Sequence, residues 1–165
     1  MKTYRAPWGK TLFWMSALFT VICIGATVVT LGALRDFKSP MLVVLQWLPL
    51  VLPFACLPFI VRGYTITDDA ILILRLFWNT RYERAFLRSA EADLQAMKGS
   101  IRTCGNGGGY SFTGWYWNKR LGAYRCFVND LNRAVVLRFA TRTIVVSPDD
   151  PRDFVATLGF SETPD

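Results

Sequence analysis

Two long apolar runs open the chain, Thr11–Leu34 (TLFWMSALFTVICIGATVVTLGAL) and Met41–Val61 (MLVVLQWLPLVLPFACLPFIV), and nothing like them recurs after Arg62. Between Thr11 and Val61 the only charged residues are Arg35, Asp36 and Lys38, all in the break between the runs. At ~1.5 Å per residue the runs would reach about 36 Å and about 31 Å as helices, beyond the ~30 Å of a bilayer's hydrocarbon core. The pattern therefore predicts transmembrane helices over 11–34 and 41–61 rather than buried helices of a soluble protein. The first run exceeds the ~7–15 residues of a signal-peptide core. Thr20-Val21-Ile22 also lacks the small residue expected before a lipidated Cys23, so a retained helix is expected.

The break, Arg35–Pro40, is short enough to force an antiparallel hairpin with both ends on one side. Ser39 is a suitable N-cap, and Pro40 falls where a missing N–H costs nothing. Pro49, Pro53 and Pro58 each delete a backbone hydrogen bond in the second span and predict a kinked helix. Gln46 is its one strongly polar side chain, read as a helix–helix hydrogen bond or as part of a translocation path. Ser16, Thr20, Cys23 and Thr27 suit close packing of the first helix.

Beyond Arg62, short β-type segments alternate with turn residues. Strands are predicted over Tyr64–Thr67, Ala70–Phe77, Thr80–Leu87, Tyr124–Val128, Ala134–Phe139 and Arg142–Ser147, with Ile101–Cys104 as a seventh. Ile71–Leu74 is apolar at every position, as in a strand covered on both faces or lying close to the membrane. Ser147-Pro148-Asp149-Asp150 reads as a helix start, with Ser147 capping, and Gly159 as its stop; Phe154, Val155 and Leu158 supply one apolar face. Short strands closed by one amphipathic helix indicate a small barrel or sandwich.

Charge then orients the anchor. Lys2, Arg5 and Lys10 precede the first span and Arg62, Arg75, Arg81 and Arg84 follow the second, whereas the loop holds only Arg35 and Lys38. The positive-inside rule places both termini in the cytoplasm and the protein in the inner (cytoplasmic) membrane. Of the net +7, residues 62–165 carry fourteen Lys/Arg against eleven Asp/Glu. That mild excess suits an anionic lipid surface and excludes a nucleic-acid binder with a basic stripe.

Histidine is absent, which removes Ser–His and Cys–His nucleophile pairs and His-ligated metals. Cys23 and Cys56 lie in the spans, and Cys104 and Cys126 lack CxxC spacing, so free thiols are expected and no zinc site. No catalytic residues, metal or cofactor are assigned.

Tyr64-Thr65-Ile66-Thr67, Gly105-Asn106-Gly107-Gly108, Asp130–Arg138 (DLNRAVVLR) and Ser147-Pro148-Asp149-Asp150-Pro151 together resemble the bacterial pleckstrin-homology (PH) domain families over residues 62–160. The resemblance implies a PH-like seven-stranded barrel or sandwich closed by a C-terminal helix, and it supplies no catalytic residues. Ala140-Thr141 departs from the glycine-rich or Asn-Gly turn more usual in that hairpin. The expected organisation is a cytoplasmic N-terminus (1–10), the two spans and a cytoplasmic PH-like domain (62–165).

Core packing accounts least for Ser100–Gly122, where six glycines interleave with Tyr110, Phe112, Trp115, Tyr116 and Trp117. The candidate binding residues are Lys98, Arg102, Gly105, Asn106, Gly107, Gly108, Trp115, Trp117, Lys119, Arg120 and Arg125. A phosphate cradle would use the glycines, but the segment lacks the GK[ST] ending of a P-loop and the strand–GxGxxG–helix setting of a dinucleotide site. Headgroup contact would use Trp, Tyr and Lys119-Arg120. A protein-contact surface would use the same aromatics beside arginine. In a purely structural role, the glycines permit turns and Trp115 and Trp117 fill the barrel.

The expected function is a non-enzymatic membrane-anchored interaction module. Its candidate partners are anionic lipid headgroups, a membrane-protein partner or a second copy of the chain, and not nucleic acid. The alternative is a small oligomeric transport or channel component whose kinked second helix lines a path.

Overall fold

The computed structural model describes residues 1–34 and 39–160. Strand β1 (Lys2–Arg5) precedes two long helices, α1 (Lys10–Ala33) and α2 (Pro40–Cys56). Nine further strands follow: β2 (Val61–Ile66), β3 (Ala70–Arg75), β4 (Asn79–Glu83), β5 (Leu87–Ala92), β6 (Ile101–Gly107), β7 (Phe112–Asn118), β8 (Gly122–Val128), β9 (Val135–Phe139) and β10 (Thr143–Val146). Helix α3 (Pro151–Thr157) comes last.

Helix α1 and the segment Pro40–Phe59 are each long and apolar enough to cross a membrane, and both are mostly unburied by the rest of the chain. Where they meet, the buried positions are small or polar: Cys23 and Thr27 on α1, Gln46 and Pro53 on α2. Thr30 Oγ1 donates to the Gln46 carbonyl at 3.3 Å. That acceptor is the main-chain carbonyl, and the Gln46 side chain is itself buried in the hairpin. The second run ends in a 3-10 turn (Leu57–Phe59), and Val61, at its end by hydropathy, is a core residue of β2. The predicted cap Ser39 precedes Pro40 without a side-chain capping bond; Arg35–Lys38 lie outside the described residues.

The β domain is built from two sheets, β1-β2-β3-β4 and β5-β9-β10-β8-β7-β6. Among the described residues, ten strands stand where seven were expected. The sequence assigned no element to β1, β5 or β7, and Thr80–Leu87 is not one strand. The chain leaves β4 at Glu83, crosses between the sheets through a 3-10 turn at Arg84–Phe86, and resumes as β5. Asp69 O and Phe86 O hold that crossing through the backbone N–H of Arg84 and Ala140. The hairpin around Ala140-Thr141 forms as expected, β9 against β10.

Both faces of the six-stranded sheet are covered at its central strands β8, β9 and β10, which explains their near-continuous apolar runs. One face, with Phe127, Leu137, Ile144 and Val146, packs against Tyr64, Ile71 and Ile73 of the small sheet and Phe154 and Val155 of α3. The other, with Tyr116, Tyr124, Cys126, Val136 and Val145, is covered by Ala96 and by Leu12 of α1. Ile71 and Ile73 are core, while Leu72 and Leu74 are half-buried on the other face of β3.

The final helix starts later than its sequence suggests. Asp150 is the cap, its carboxylate accepting from Asp153 N at 3.0 Å, with Pro151 in the first turn. Ser147 is instead buried, where its Oγ accepts from Asn129 N at 2.9 Å. Burial of that hydroxyl beside Tyr64 and Asn129 competes with capping and wins. Gly159, at φ +87°, follows the last turn as expected of a stop.

β1 decides how the anchor meets the domain. It pairs antiparallel with β2, Thr3 opposite Thr65 and Arg5 opposite Gly63, so both ends of the helical hairpin enter one sheet. A Cβ on Gly63 would stand 2.5 Å from Tyr4 O, so glycine is required for that approach. β1 also grips α3, with Lys2 Nζ 2.5 Å and Tyr4 Oη 2.6 Å from Asp153 Oδ2. These bonds, Lys2 first, hold the Asp153 carboxyl below its ordinary 3.8. A carboxylate whose pKa is depressed by folding stabilises above its unfolded value and loses that contribution as pH falls through the folded one. Amide protection of Lys2–Arg5 should therefore hold from neutral pH to about 5 and weaken below 3.8. Hydrogen exchange corrected for intrinsic rate measures this, and Asp153→Asn should abolish the step.

Candidate functional site

A cleft of about 690 Å³ opens where the helical hairpin meets the edge of the large sheet. Met15 and Phe19 of α1 and Ala55, Cys56 and Phe59 at the end of the second span line its apolar side. Across from them stand Arg75 of β3, Arg102 and Cys104 of β6, Thr113 and Trp115 of β7 and Arg125 of β8. The turn Gly107–Gly109 closes one end. Among the described residues, three arginines and no carboxylate line the cleft.

The arginines are unusual in what they lack. Arg75 is only 8% exposed, and its Nε has no hydrogen-bond partner; the buried Nε of Arg125 has none either. Both guanidinium groups share the Phe127 ring, with Cζ 4.9 Å (Arg75) and 5.5 Å (Arg125) from its centroid. Trp78 and Trp115 take a second contact with Arg75 and Arg125 respectively, at 5.5 Å and 5.6 Å. Ring faces attract cations but carry no net charge. Burial first, and then the neighbouring Arg125, push the Arg75 guanidinium below its usual range. Among the described residues no ion pair reaches Arg75, Arg102 or Arg125.

Glycine shapes the opposite wall. Gly105 and Gly114 face each other across β6 and β7 at φ +116° and +137°. A Cβ would come within 2.4 Å of Thr113 O from the first and 2.2 Å of Cys104 O from the second. At the hairpin tip, a Cβ on Gly108 would meet Met15 Cε at 2.8 Å. This close approach lets the tip dock on α1. Ser16 Oγ donates to Gly108 O and accepts from Tyr110 N, both at 3.0 Å, and Tyr110 Oη lies 2.8 Å from Thr20 Oγ1. Asn106 closes the turn, its Oδ1 accepting from Gly109 N at 2.9 Å. Ser16 and Thr20, expected to pack helix on helix, instead seat the loop; Cys23 and Thr27 lie in the helix interface.

The structure divides the predicted residues into two groups. Arg102, Gly105, Asn106, Gly107, Gly108, Trp115 and Arg125 meet in the cleft. Lys98, Lys119 and Arg120 lie at the far end of the β6–β7 hairpin, where Asn118 binds Ala96 O and Ser100 Oγ and Arg120 pairs with Asp93. Trp117, 42% exposed, stands on the sheet face outside the cleft. Neither Trp115, 43% exposed, nor Trp117 fills the core; Tyr116 between them does. Arg75 was missed as a site residue, because in sequence it is one of four basic residues after the second span. Its burial arises from β3 ending against Phe127 and Trp78.

The four thiols are free, with Cys126 buried and Cys104 exposed in the cleft. Among the described residues no group of three His, Cys, Asp or Glu converges to hold a metal ion.

The model of the bacterial PH domain family matches residues 62–160. The chain belongs to that family. No curated protein and no solved structure matches it. As a family member it carries an interaction fold, here behind two helices able to span a membrane. Its PH domain is completed by β1, which lies outside the matched span and on the far side of both helices in sequence.

Proposed function

We propose that this protein is a non-enzymatic, membrane-anchored PH module whose cytoplasmic domain is held face-on to the anionic surface of the inner membrane. The observation that carries this reading is the double clamp. β1 pairs with β2, and Ile60 alone separates the second span from β2, so no linker lets the domain leave the surface. The helical ends are collared by half-exposed aromatics suited to the headgroup layer: Trp8 (45%), Phe59 (43%) and Trp78 (41%). The basic balance of the termini and the positive-inside rule support the cytoplasmic orientation.

The full chain in nanodiscs tests this. Its melting temperature should rise as phosphatidylglycerol replaces phosphatidylcholine, and the rise should shrink with salt, because exposed charges are screened over ~10 Å at 0.1 M. An identical melt in both lipids would rule the reading out.

One observation favours a protein partner as a second reading. Ile101 and Trp117 form an exposed cross-strand apolar pair on the β6 edge, at 64% and 42%. Crosslinking in native membranes from a cysteine placed at Ile101 would capture such a partner or a second copy. Gln46, buried against α1 in the hairpin, gives the transport alternative no support.

A further inference from the structure

In the orientation proposed above, the cleft falls at the depth where headgroups meet acyl chains. A helix needs about 20 residues to cross the hydrocarbon core, and α1 has 24. The surplus is about one turn, and because Leu12 packs into the β domain it falls at the start of α1, in the headgroup layer. The hairpin tip follows α1 from Met15 to Thr20, so the cleft opens just at the end of that layer. On one side it offers Met15, Phe19, Cys56 and Phe59; on the other, cations. A ligand matching both sides is amphiphilic and anionic.

The charge pattern narrows this further. A buried guanidinium is ordinarily paired, since removing its partner leaves an uncompensated charge in low dielectric. Arg75 and Arg125 stand together with unpartnered Nε atoms, and Arg102 adds a third cation, lying across Gly107. Planar guanidinium groups match phosphate oxygens, often with two bonds each. A zwitterionic headgroup would also bring an ammonium, for which the lining has no carboxylate. We propose that the cleft binds one anionic phospholipid, its phosphodiester held by Arg75, Arg125 and Arg102 and its acyl chain laid along Met15, Phe19 and Phe59. The bound lipid then offsets one of the cluster's three positive charges, supplies acceptors to its guanidinium groups, and joins the β domain to the helical hairpin. This deepens the surface reading above, on whose orientation it rests, by replacing a diffuse attraction with one site.

The experiment uses the full chain extracted into neutral detergent and examined by native mass spectrometry after addition of phosphatidylglycerol, phosphatidylcholine or inorganic phosphate. One phosphatidylglycerol per chain should survive, and phosphatidylcholine should not. Each of Arg75→Gln and Arg125→Gln should lower retention about tenfold, the loss expected for a charge-assisted hydrogen bond. Because Arg75 is buried, the exposed Arg102→Gln serves as the variant that leaves the core intact, with the melt in phosphatidylcholine nanodiscs reporting its folding. Alkylation of Cys104, which lines the cleft, should slow when phosphatidylglycerol is bound.

Equal retention of both lipids, or retention unchanged in all three variants, overturns the site. So does displacement of the lipid by millimolar phosphate, which would make the ligand a free anion. If the site fails while the lipid-dependent melt persists, the surface reading survives alone; if both fail, the anionic surface is not the partner.

Discussion

Asn129→Ala should unfold the clamp between anchor and domain, and it is the most damaging single truncation expected outside the helices. Asn129 is fully buried. Its Nδ2 donates to Val61 O at 2.7 Å and Ala6 O at 3.1 Å, and its Oδ1 accepts from Ser111 Oγ at 2.8 Å. Its backbone N–H donates to Ser147 Oγ, and its carbonyl accepts from Gly9 N at 3.0 Å. One side chain therefore ties the segment before α1, the strand after α2 and the tip of the β6–β7 hairpin. Truncation strands two carbonyls and a hydroxyl, each costing about 1–3 kcal/mol when buried unpaired, so a loss of about 3–5 kcal/mol is expected. That is a large share of the ~5–15 kcal/mol stability of a domain. Thermal unfolding in detergent measures it. Asn129→Asp, which keeps shape and acceptor but turns a carboxylate toward both carbonyls, should be no better. A wild-type melt for either variant would refute the role.

Gly114→Val should have the second largest effect, confined at first to the hairpin. At φ +137° an L side chain is strained whatever room it has, and here a Cβ meets the Cys104 carbonyl at 2.2 Å. Since Gly105 faces it with the same requirement, β6 and β7 cannot shift to make space. Backbone strain of about 1–3 kcal/mol and the clash together should break pairing from Cys104 to Gly107. The tip would then leave Ser16 and Thr20, and the cleft would lose a wall. Hydrogen exchange should rise over residues 104–111 while β9 and β10 stay protected. Gly99→Ala, with φ +67° but nothing within 4 Å, is the control and should cost about 1 kcal/mol at most. Exchange confined to background in Gly114→Val would show that the glycine pair is dispensable.

These two residues mark how much the sequence could say. In sequence Asn129 is only a polar residue after the strand predicted over Tyr124–Val128, because its partners at Ala6, Val61 and Ser111 are distant in the chain. β1 was missed for the same reason. Four mostly polar residues carry no periodicity of their own, and their strand exists only through pairing with β2. β5 (LRSAEA) is poor in β-branched residues and owes its form to β9. Ser147 illustrates the opposite error, a sound local capping signal overridden because its hydroxyl is buried with Tyr64 and Asn129. The glycine–aromatic segment contributes one wall of the cleft, but the sequence groups all its charges as one cluster. A β-hairpin has two ends, and Lys119-Arg120 lie at the one away from α1.

What the sequence determined by itself is what depends on composition and local periodicity: two uncharged helices long enough to span a bilayer, a β domain of the bacterial PH family behind them, and a closing helix with Phe154, Val155 and Leu158 inward. Hydrophobic burial acts on each of those segments separately, so its pattern is written in each. Only the tertiary structure decided that β1 completes the sheet, that α1 seats the hairpin tip, and that Arg75 and Arg125 share one ring. Those are pairings between residues far apart in the chain, and their energies depend on distance in space, which no local pattern records.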